Sequence, residues 1–238
     1  MSRIIFEQFI DLETSTYTFL IADPKTREAV LVDSVGENVE SYKKRIQQLG
    51  LKLKYLLETH VHADHITGNA LLQDAFPEAQ VALSEKANVK FPHISLKDGS
   101  ALSVGEIDIK TFETPGHTSE SLCYLVDGNR LLTGDTLFIG SCGRTDFQAG
   151  DSKLMYQSLK RLAALPGETL VYPGHDYNKR WVSSISEQLL SNTLLAMSEA
   201  EFVAELESWK LPPPRKIKES VPANLLNGRK PNEIAESK

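Results

Sequence analysis

The sequence predicts an α+β protein built on two mixed β-sheets with helices outside them. Three observations carry this. Strand-like runs come in two blocks instead of alternating one for one with helices, which argues against a simple βαβ wind and for two separate sheets. Each block is interleaved with or followed by segments of helical periodicity. The composition is that of a globular chain, with 238 residues, 41% hydrophobic and 24% charged, and a formal net charge of −6.

IIFEQFI, YTFLIAD and EAVLVDS read as the first three strands, and Asp23-Pro24 turns between the second and third. Glu37 to Leu49 sets Val39, Tyr42, Ile46 and Leu49 on one helical face, and Gly50 supplies the stop. Leu51 to Glu58 is a buried-strand candidate that runs straight into Thr59-His60-Val61-His62-Ala63-Asp64-His65. Ile66 to Phe76 has a helical pattern that stops at Pro77. A second run of short strands follows in VALS, ALSVG, IDIKTFETPGH, SLCYLVDG and NRLLTGDTLF. Ser152 to Leu165 is an amphipathic helix ended by Pro166-Gly167, and TLVYPGHDY holds a last core strand leading to His175. Beyond Trp181 two helices are expected, the second opened by a capping box at Ser198 and Glu201. Pro212-Pro213-Pro214 breaks it, and a polar tail closes the chain. Residues 1–180 are expected to form the catalytic domain and residues 181–238 a helical extension packed on it.

Several function classes fall away. The apolar content is too high for a disordered chain. Two cysteines, Cys123 and Cys142, are too few for a disulfide scaffold. No apolar run approaches the roughly 20 residues that span a bilayer. The acidic balance gives no general attraction to nucleic acid or to an anionic membrane. The small basic clusters, Lys43-Lys44-Arg45 and Arg215-Lys216 with Lys218, read as solvated faces, so neither nucleic acid nor membrane is expected as a partner. The segment MSRIIFEQFIDLETS has acidic residues and no cleavage site after an apolar core, so a cytoplasmic location is expected.

The strongest chemical signal is His60-x-His62-x-Asp64-His65. Residues two apart in an extended segment point to the same side, so His60 and His62 can converge on one point, with Asp64 and His65 facing a neighbouring one. His117 in Pro115-Gly116-His117-Thr118, Asp135 in Gly134-Asp135-Thr136 and His175 in Pro173-Gly174-His175-Asp176 each follow a predicted strand and sit beside a glycine. One histidine at a strand end is ordinarily a surface or satisfied core residue. Five of six there, with two carboxylates, make a metal-binding set whose ligand types suit Zn, Fe or Mn. His93 lacks such a context and reads as a loop residue.

His60 to His65, His117, Asp135 and His175, in that order, resemble the signature of the metallo-β-lactamase superfamily. The resemblance implies an αββα sandwich with metal at one edge of the two sheets. Within it the chain resembles the persulfide dioxygenases related to the ethylmalonic-encephalopathy protein. Ser141-Cys142-Gly143-Arg144-Thr145-Asp146-Phe147-Gln148, His175-Asp176-Tyr177, Leu211-Pro212-x-Pro214 and Val221-Pro222-Ala223-Asn224 carry this closer likeness. It implies a single Fe²⁺ held by His60, His117 and Asp135, with His62, Asp64, His65 and His175 orienting them. Glutathione persulfide and O₂ would be the substrates, sulfite and glutathione the products. Arg144 would grip the glutathione moiety and Tyr177 would donate a hydrogen bond to it or to the metal site; a homodimer is also expected.

The rival reading is a glyoxalase-II-like thioesterase, in which all seven positions hold two metals, such as Zn²⁺, bridged by Asp135. Zn²⁺ could also substitute at the single site. Arg144-Thr145-Asp146-Phe147 and the short C-terminal region favour the dioxygenase. Two departures from the family pattern flank the site. Ser119-Glu120-Ser121 stands where a Gly more often follows the Thr, and Ser141 stands where a Gly usually precedes Cys-Gly-Arg. Cys142 reads as a loop packer and Cys123 as core. Asp33, ending its strand, is a candidate support for the metal loop.

Overall fold

A computed structural model of the chain describes residues 4–177 and 180–230. It contains two compact units, each with its own sheet and helices. The first takes residues up to Leu96, Ser103–Ile107 and the chain from Pro213 on; the second takes Lys97–Leu102 and Asp108–Pro212.

The first unit's sheet has the order β1-β2-β3-β4-β5-β6, with β1 Ile5–Ile10, β2 Tyr17–Ala22, β3 Glu28–Val32, β4 Lys52–Leu57, β5 Gln80–Ser84 and β6 Ile94–Leu96. The first three strands pair antiparallel through short turns, and β3 to β6 run parallel. Parallel neighbours need crossovers. Helices α1 (Val39–Gln48) and α2 (Asn69–Ala75) lie in two of these connections. Val39, Tyr42 and Ile46 of α1 are buried as the periodicity predicts, beside Leu20, Leu31, Leu56, Leu72 and Val81. Gly50 ends α1 with φ +61, a left-handed stop.

Helix α2 starts three residues later than the pattern suggests. Gly36 N–H donates to the Ile66 carbonyl at 2.8 Å and Gly68 N–H to the Ser34 carbonyl at 3.0 Å. These bonds tie Ile66–Gly68 to the chain leaving β3 and keep it from joining the helix. Short β6 has too few residues to show an alternation.

The other large sheet has the strands β7 Ala101–Val104, β8 Ile107–Glu113, β9 Leu122–Val126, β10 Arg130–Gly134, β13 Leu170–Pro173 and β14 Ser183–Ser184, in the order β14-β13-β10-β9-β8-β7. A separate pair, β11 Leu137–Phe138 and β12 Ser141–Cys142, follows β10. β13 runs parallel to β10, while β8, β9 and β10 alternate in direction, so β8, β10 and β13 all end at one edge of this sheet. His117, Asp135 and His175 follow those three ends. Helix α3 (Ser152–Ala163) is capped by Asp151, whose carboxylate accepts the N–H groups of Lys153 and Leu154.

The C-terminal portion differs from the expectation in two ways. Three helices precede the prolines, α4 Ile185–Ser191, α5 Thr193–Ala196 and α6 Glu199–Ser208; Asn192 caps α5 and the Ser198/Glu201 capping box opens α6. A fourth, α7 (Ile217–Asn224), stands inside the expected polar tail despite Pro222. The chain re-enters the first unit at Pro213. Packing explains this. Ile185, Leu194, Leu195, Phe202 and Leu206 join the core of α3, whereas Val221 and Leu225 pack on the core of the first sheet. The rest of the tail, 231–238, lies outside the described residues.

Candidate metal centre

In the first unit the metal-type residues follow β4, beside the end of parallel β3. Asp33, with φ +54, adopts a left-handed conformation uncommon outside glycine. That turn aims its buried carboxylate at the metal loop. Oδ1 accepts Thr59 N–H at 2.7 Å and Oδ2 accepts the Thr59 hydroxyl at 2.9 Å. Having given its hydrogen to Asp33, the Thr59 hydroxyl accepts from His60 Nδ1 at 3.0 Å. His60 Nε2 is left with its lone pair, the form a metal requires.

His62 is fixed from the opposite side. Its Nε2 lies 3.1 Å from Asp33 Oδ1 and 3.1 Å from Glu58 Oε2. Burial opposes a charge on this ring, but the Asp33 and Glu58 carboxylates prevail and hold its pKa well above the ordinary imidazole value. His62 Nδ1 and His65 Nε2 are buried and make no hydrogen bond among the described residues. His65 Nδ1 lies 3.0 Å from Asp64 Oδ2, which also accepts the Thr16 hydroxyl at 2.9 Å. His62, Asp64 and His65 bring one ligand atom each within 4.8 Å of one another.

The second unit fixes its residues largely through backbone. His117 Nδ1 lies 2.7 Å from the Arg144 carbonyl, which can only accept, so the ring hydrogen is on Nδ1 and Nε2 carries the lone pair. That Nε2 is 3.5 Å from Asp135 Oδ2, and His175 Nε2 is 3.5 Å from Asp135 Oδ1. These spacings are long for hydrogen bonds. They are close to the roughly 3–3.4 Å separating two donors that share a metal at about 2.1 Å. Asp135 Oδ1 is buried without a hydrogen bond. Ring nitrogens with fixed lone pairs and a buried carboxylate oxygen left without a hydrogen bond fit a metal ion.

Two glycines make this arrangement possible. A Cβ on Gly143 would lie 2.1 Å from the Asp135 carbonyl oxygen and 3.1 Å from His117 Nδ1. A Cβ on Gly174 would lie 2.7 Å from Asp135 Oδ1. The backbone approaches the site more closely than any side chain would allow.

Arg144 is more heavily engaged than a free substrate grip. Its Nε and Nη2 donate to the two Asp146 oxygens at 2.6 and 2.7 Å. Nη1 donates to the Pro212 carbonyl at 2.6 Å and Nη2 to the Leu211 carbonyl at 3.2 Å, and the guanidinium lies over the Phe147 ring. Four of its five N–H groups thus have protein acceptors. Tyr177 is 71% exposed and stacks on His175 at 6.0 Å between ring centroids. Cys142 is buried on β12, and burial pushes its thiol up to about 12, so it packs as a neutral side chain. His93 bonds to the Phe91 carbonyl in its loop.

The comparisons with known proteins agree with this architecture. The metallo-β-lactamase superfamily model matches residues 12–175. The mitochondrial persulfide dioxygenase ETHE1 of Bos taurus is 38% identical over 228 residues, which cover 94% of this chain and 89% of that one. The chain belongs to the persulfide dioxygenases of this superfamily. The crystal structure of ETHE1 from Myxococcus xanthus matches with a TM-score of 0.91 at 43% identity, covering 94% of this chain and 100% of that one. The two mixed sheets with their helices are the metallo-β-lactamase fold. A hydroxyacylglutathione hydrolase of Prochlorococcus marinus (strain MIT 9312) is 36% identical over 192 residues, 76% of each chain. The likeness to persulfide dioxygenases therefore extends through more of the sequence.

Two site residues carried no assigned role in the sequence reading. Glu58 was visible only as the strand's terminal residue; a carboxylate closing an apolar strand two positions before His60 is the signal that could have marked it. Asn224 reaches the metal loop from 157 residues away or more, and no local pattern announces that contact.

Proposed function

We propose that this persulfide dioxygenase uses one Fe²⁺, held by His60, His117 and Asp135, to oxidise glutathione persulfide. The balanced reaction takes glutathione persulfide, O₂ and water to glutathione and sulfite; the terminal sulfur loses four electrons and O₂ gains them. The observation that carries this reading is the likeness to persulfide dioxygenases across 94% of the chain, through both the Arg144 segment and α7. Iron supplies redox chemistry with O₂ that Zn²⁺, with no accessible redox change, does not.

The roles of the chain's own residues follow from their bonds. Thr59 and the Arg144 carbonyl hold His60 and His117 in the tautomer that presents Nε2. Asp135 adds the charge of a carboxylate, which favours a hard divalent ion. Asp33 and Glu58 orient His62, Asp64 orients His65, and His175 flanks Asp135. Tyr177, exposed beside His175, would meet the glutathione moiety. We assign Arg144 to the same rim, shaping it through Leu211 and Pro212. A cytoplasmic setting suits two free, buried cysteines, and among the described residues no helix is long and apolar enough to cross a membrane. A homodimer is carried over from the resemblance and is testable by analytical ultracentrifugation.

The test is O₂ consumption by iron-reconstituted protein on adding glutathione persulfide, beside zinc-loaded protein. Uptake with sulfite formation in the iron form alone is expected. No uptake from verified iron-loaded protein would sink the reading. The buried His62 Nδ1 and His65 Nε2 also fit a second metal, so a two-metal hydrolase of glutathione thioesters is the second reading. His62→Ala separates the two: it leaves iron largely bound in the mononuclear site and disables the first metal of a dinuclear one.

A further inference from the structure

The Thr59–Thr67 stretch carries four metal-type side chains without regular secondary structure apart from a bridge at Thr67. Its backbone groups therefore need partners outside a ladder, because an unpaired buried N–H or C=O is costly. Three of them meet one side chain. Asn224 Nδ2 donates to the His62 carbonyl at 2.8 Å and to the His65 carbonyl at 2.9 Å, and Oδ1 accepts Thr67 N–H at 2.9 Å. Asn224 is 6% exposed, so water does not readily replace these bonds.

We infer that Asn224 is a positioning residue for the metal loop, through which the C-terminal helix α7 fixes the spacing of His62, His65 and the ligand that precedes them. The chemistry of the side chain supports this. Two carbonyls and one N–H call for two donors and one acceptor on a single group, and a primary amide is the side chain that supplies them. An aspartate would bring two acceptors to two carbonyls, and an alanine would leave all three groups unmatched.

The end of α7 is itself anchored, so Asn224 holds the loop from a fixed point. Lys90 N–H donates to the Leu225 carbonyl at 2.9 Å and Ala70 N–H to the Asn227 carbonyl at 3.1 Å. Gly228 packs so closely that a Cβ there would lie 2.3 Å from the Thr67 carbonyl oxygen.

The inference rests on the reading that His60 holds iron, and its experiment separates the two. Iron-loaded full-length protein is mixed anaerobically with excess Fe²⁺ chelator, and the rate of iron transfer is followed beside the thermal midpoint of each metal-free variant. Asn224→Ala is expected to speed transfer roughly 10- to 100-fold, the usual effect of removing a group that orients a metal ligand. Asn224→Asp, nearly isosteric, keeps the acceptor for Thr67 and loses both donors. It is expected to speed transfer as well, and it carries the test if Asn224→Ala does not fold. Asn227→Gly keeps the left-handed backbone (φ +64) and removes the side-chain bond to Gln73. It serves as the control: the backbone bonds that anchor α7 remain and no group facing the metal loop is lost, so the thermal midpoint falls while iron is expected to leave at the wild-type rate.

Wild-type transfer from a folded Asn224 variant overturns the inference. So does equal acceleration by Asn227→Gly at a matched loss of thermal midpoint, because the effect would then be general destabilisation. If wild-type protein consumes no O₂ but the Asn224 variants still shed iron faster, the dioxygenase reading falls and the positioning role stands. If wild-type protein is active and the Asn224 variants hold iron normally, the positioning role falls alone.

Discussion

The two units hold their metal-type residues by different means. In the first, side chains do the holding, some near in sequence and some far: Asp33 and Glu58 on His62, Thr59 on His60 and Asn224 on the loop backbone. Most of these groups are buried, and together they form a continuous polar network. In the second, the Arg144 carbonyl fixes His117, and Gly143 and Gly174 let the chain pass beside Asp135. Side-chain identity sets the geometry in one unit; backbone path sets it in the other. Substitutions should therefore damage the two units by different routes, through lost polar groups in the first and added carbon in the second.

The largest effect belongs to the proposed ligands in the backbone-built unit. His117→Ala and Asp135→Ala are each expected to abolish stoichiometric iron and O₂ uptake together, read by metal analysis and an oxygen electrode. Full iron occupancy in both variants would refute the ligand assignment. Next come the supports. Asp33→Ala removes the carboxylate that fixes Thr59 and His62, and Gly143→Ala drives a Cβ against the Asp135 carbonyl. Each is expected to weaken iron about 10- to 100-fold by chelator competition, since both displace groups that orient ligands. The comparison breaks if Gly143→Ala binds iron normally, because the close backbone approach would then not set the site.

This contrast also explains what was legible in the sequence. His60, His62, Asp64, His65, His117, Asp135 and His175 are visible because side chains of metal-binding type are few in kind and here gather just after predicted strands. Helices α1 and α3 are legible because a half-buried helix shows periodicity in its own residues, and strands β1 to β5 because they are short runs of β-forming residues. The supports were less so. Asp33 could be suspected from its place at the end of β3, but its bond to His62 depends on β3 lying beside β4. Asn224 depends on a contact across about two thirds of the chain, and α7 forms because Val221 and Leu225 find the first unit's core. Helix α2 starts later than its local pattern for the same reason: the Gly36–Ile66 and Gly68–Ser34 bonds are tertiary and override local helical pattern.

Arg144 sharpens the comparison at smaller scale, because it is a side-chain tie in the unit whose site is set by backbone path. Arg144→Lys removes the planar fork that engages Asp146, Leu211 and Pro212. The thermal midpoint is expected to fall by about 2–4 °C per kcal/mol lost, while the KM for glutathione persulfide changes little. A large rise in KM at an unchanged midpoint would instead make Arg144 a direct grip on the substrate.

The smallest effect isolates the charge in that tie. The Arg144 guanidinium beside Asp146 holds its carboxyl below the ordinary carboxylate value. A carboxyl whose pKa is depressed on folding contributes stability that is fully present above its unfolded pKa of about 3.9 and fades as pH falls through the lower folded value. With Asp146 at 53% side-chain exposure, solvent screening limits the contribution, to at most about 1 kcal/mol. Metal-free wild type should therefore unfold slightly above metal-free Asp146→Asn at pH 7, and the gap should close as both are titrated into acid below the folded pKa. A gap that survives there would mean that Asp146 acts through its hydrogen-bond geometry alone. The tie would then be of the same uncharged, path-setting kind as the Arg144 carbonyl on His117.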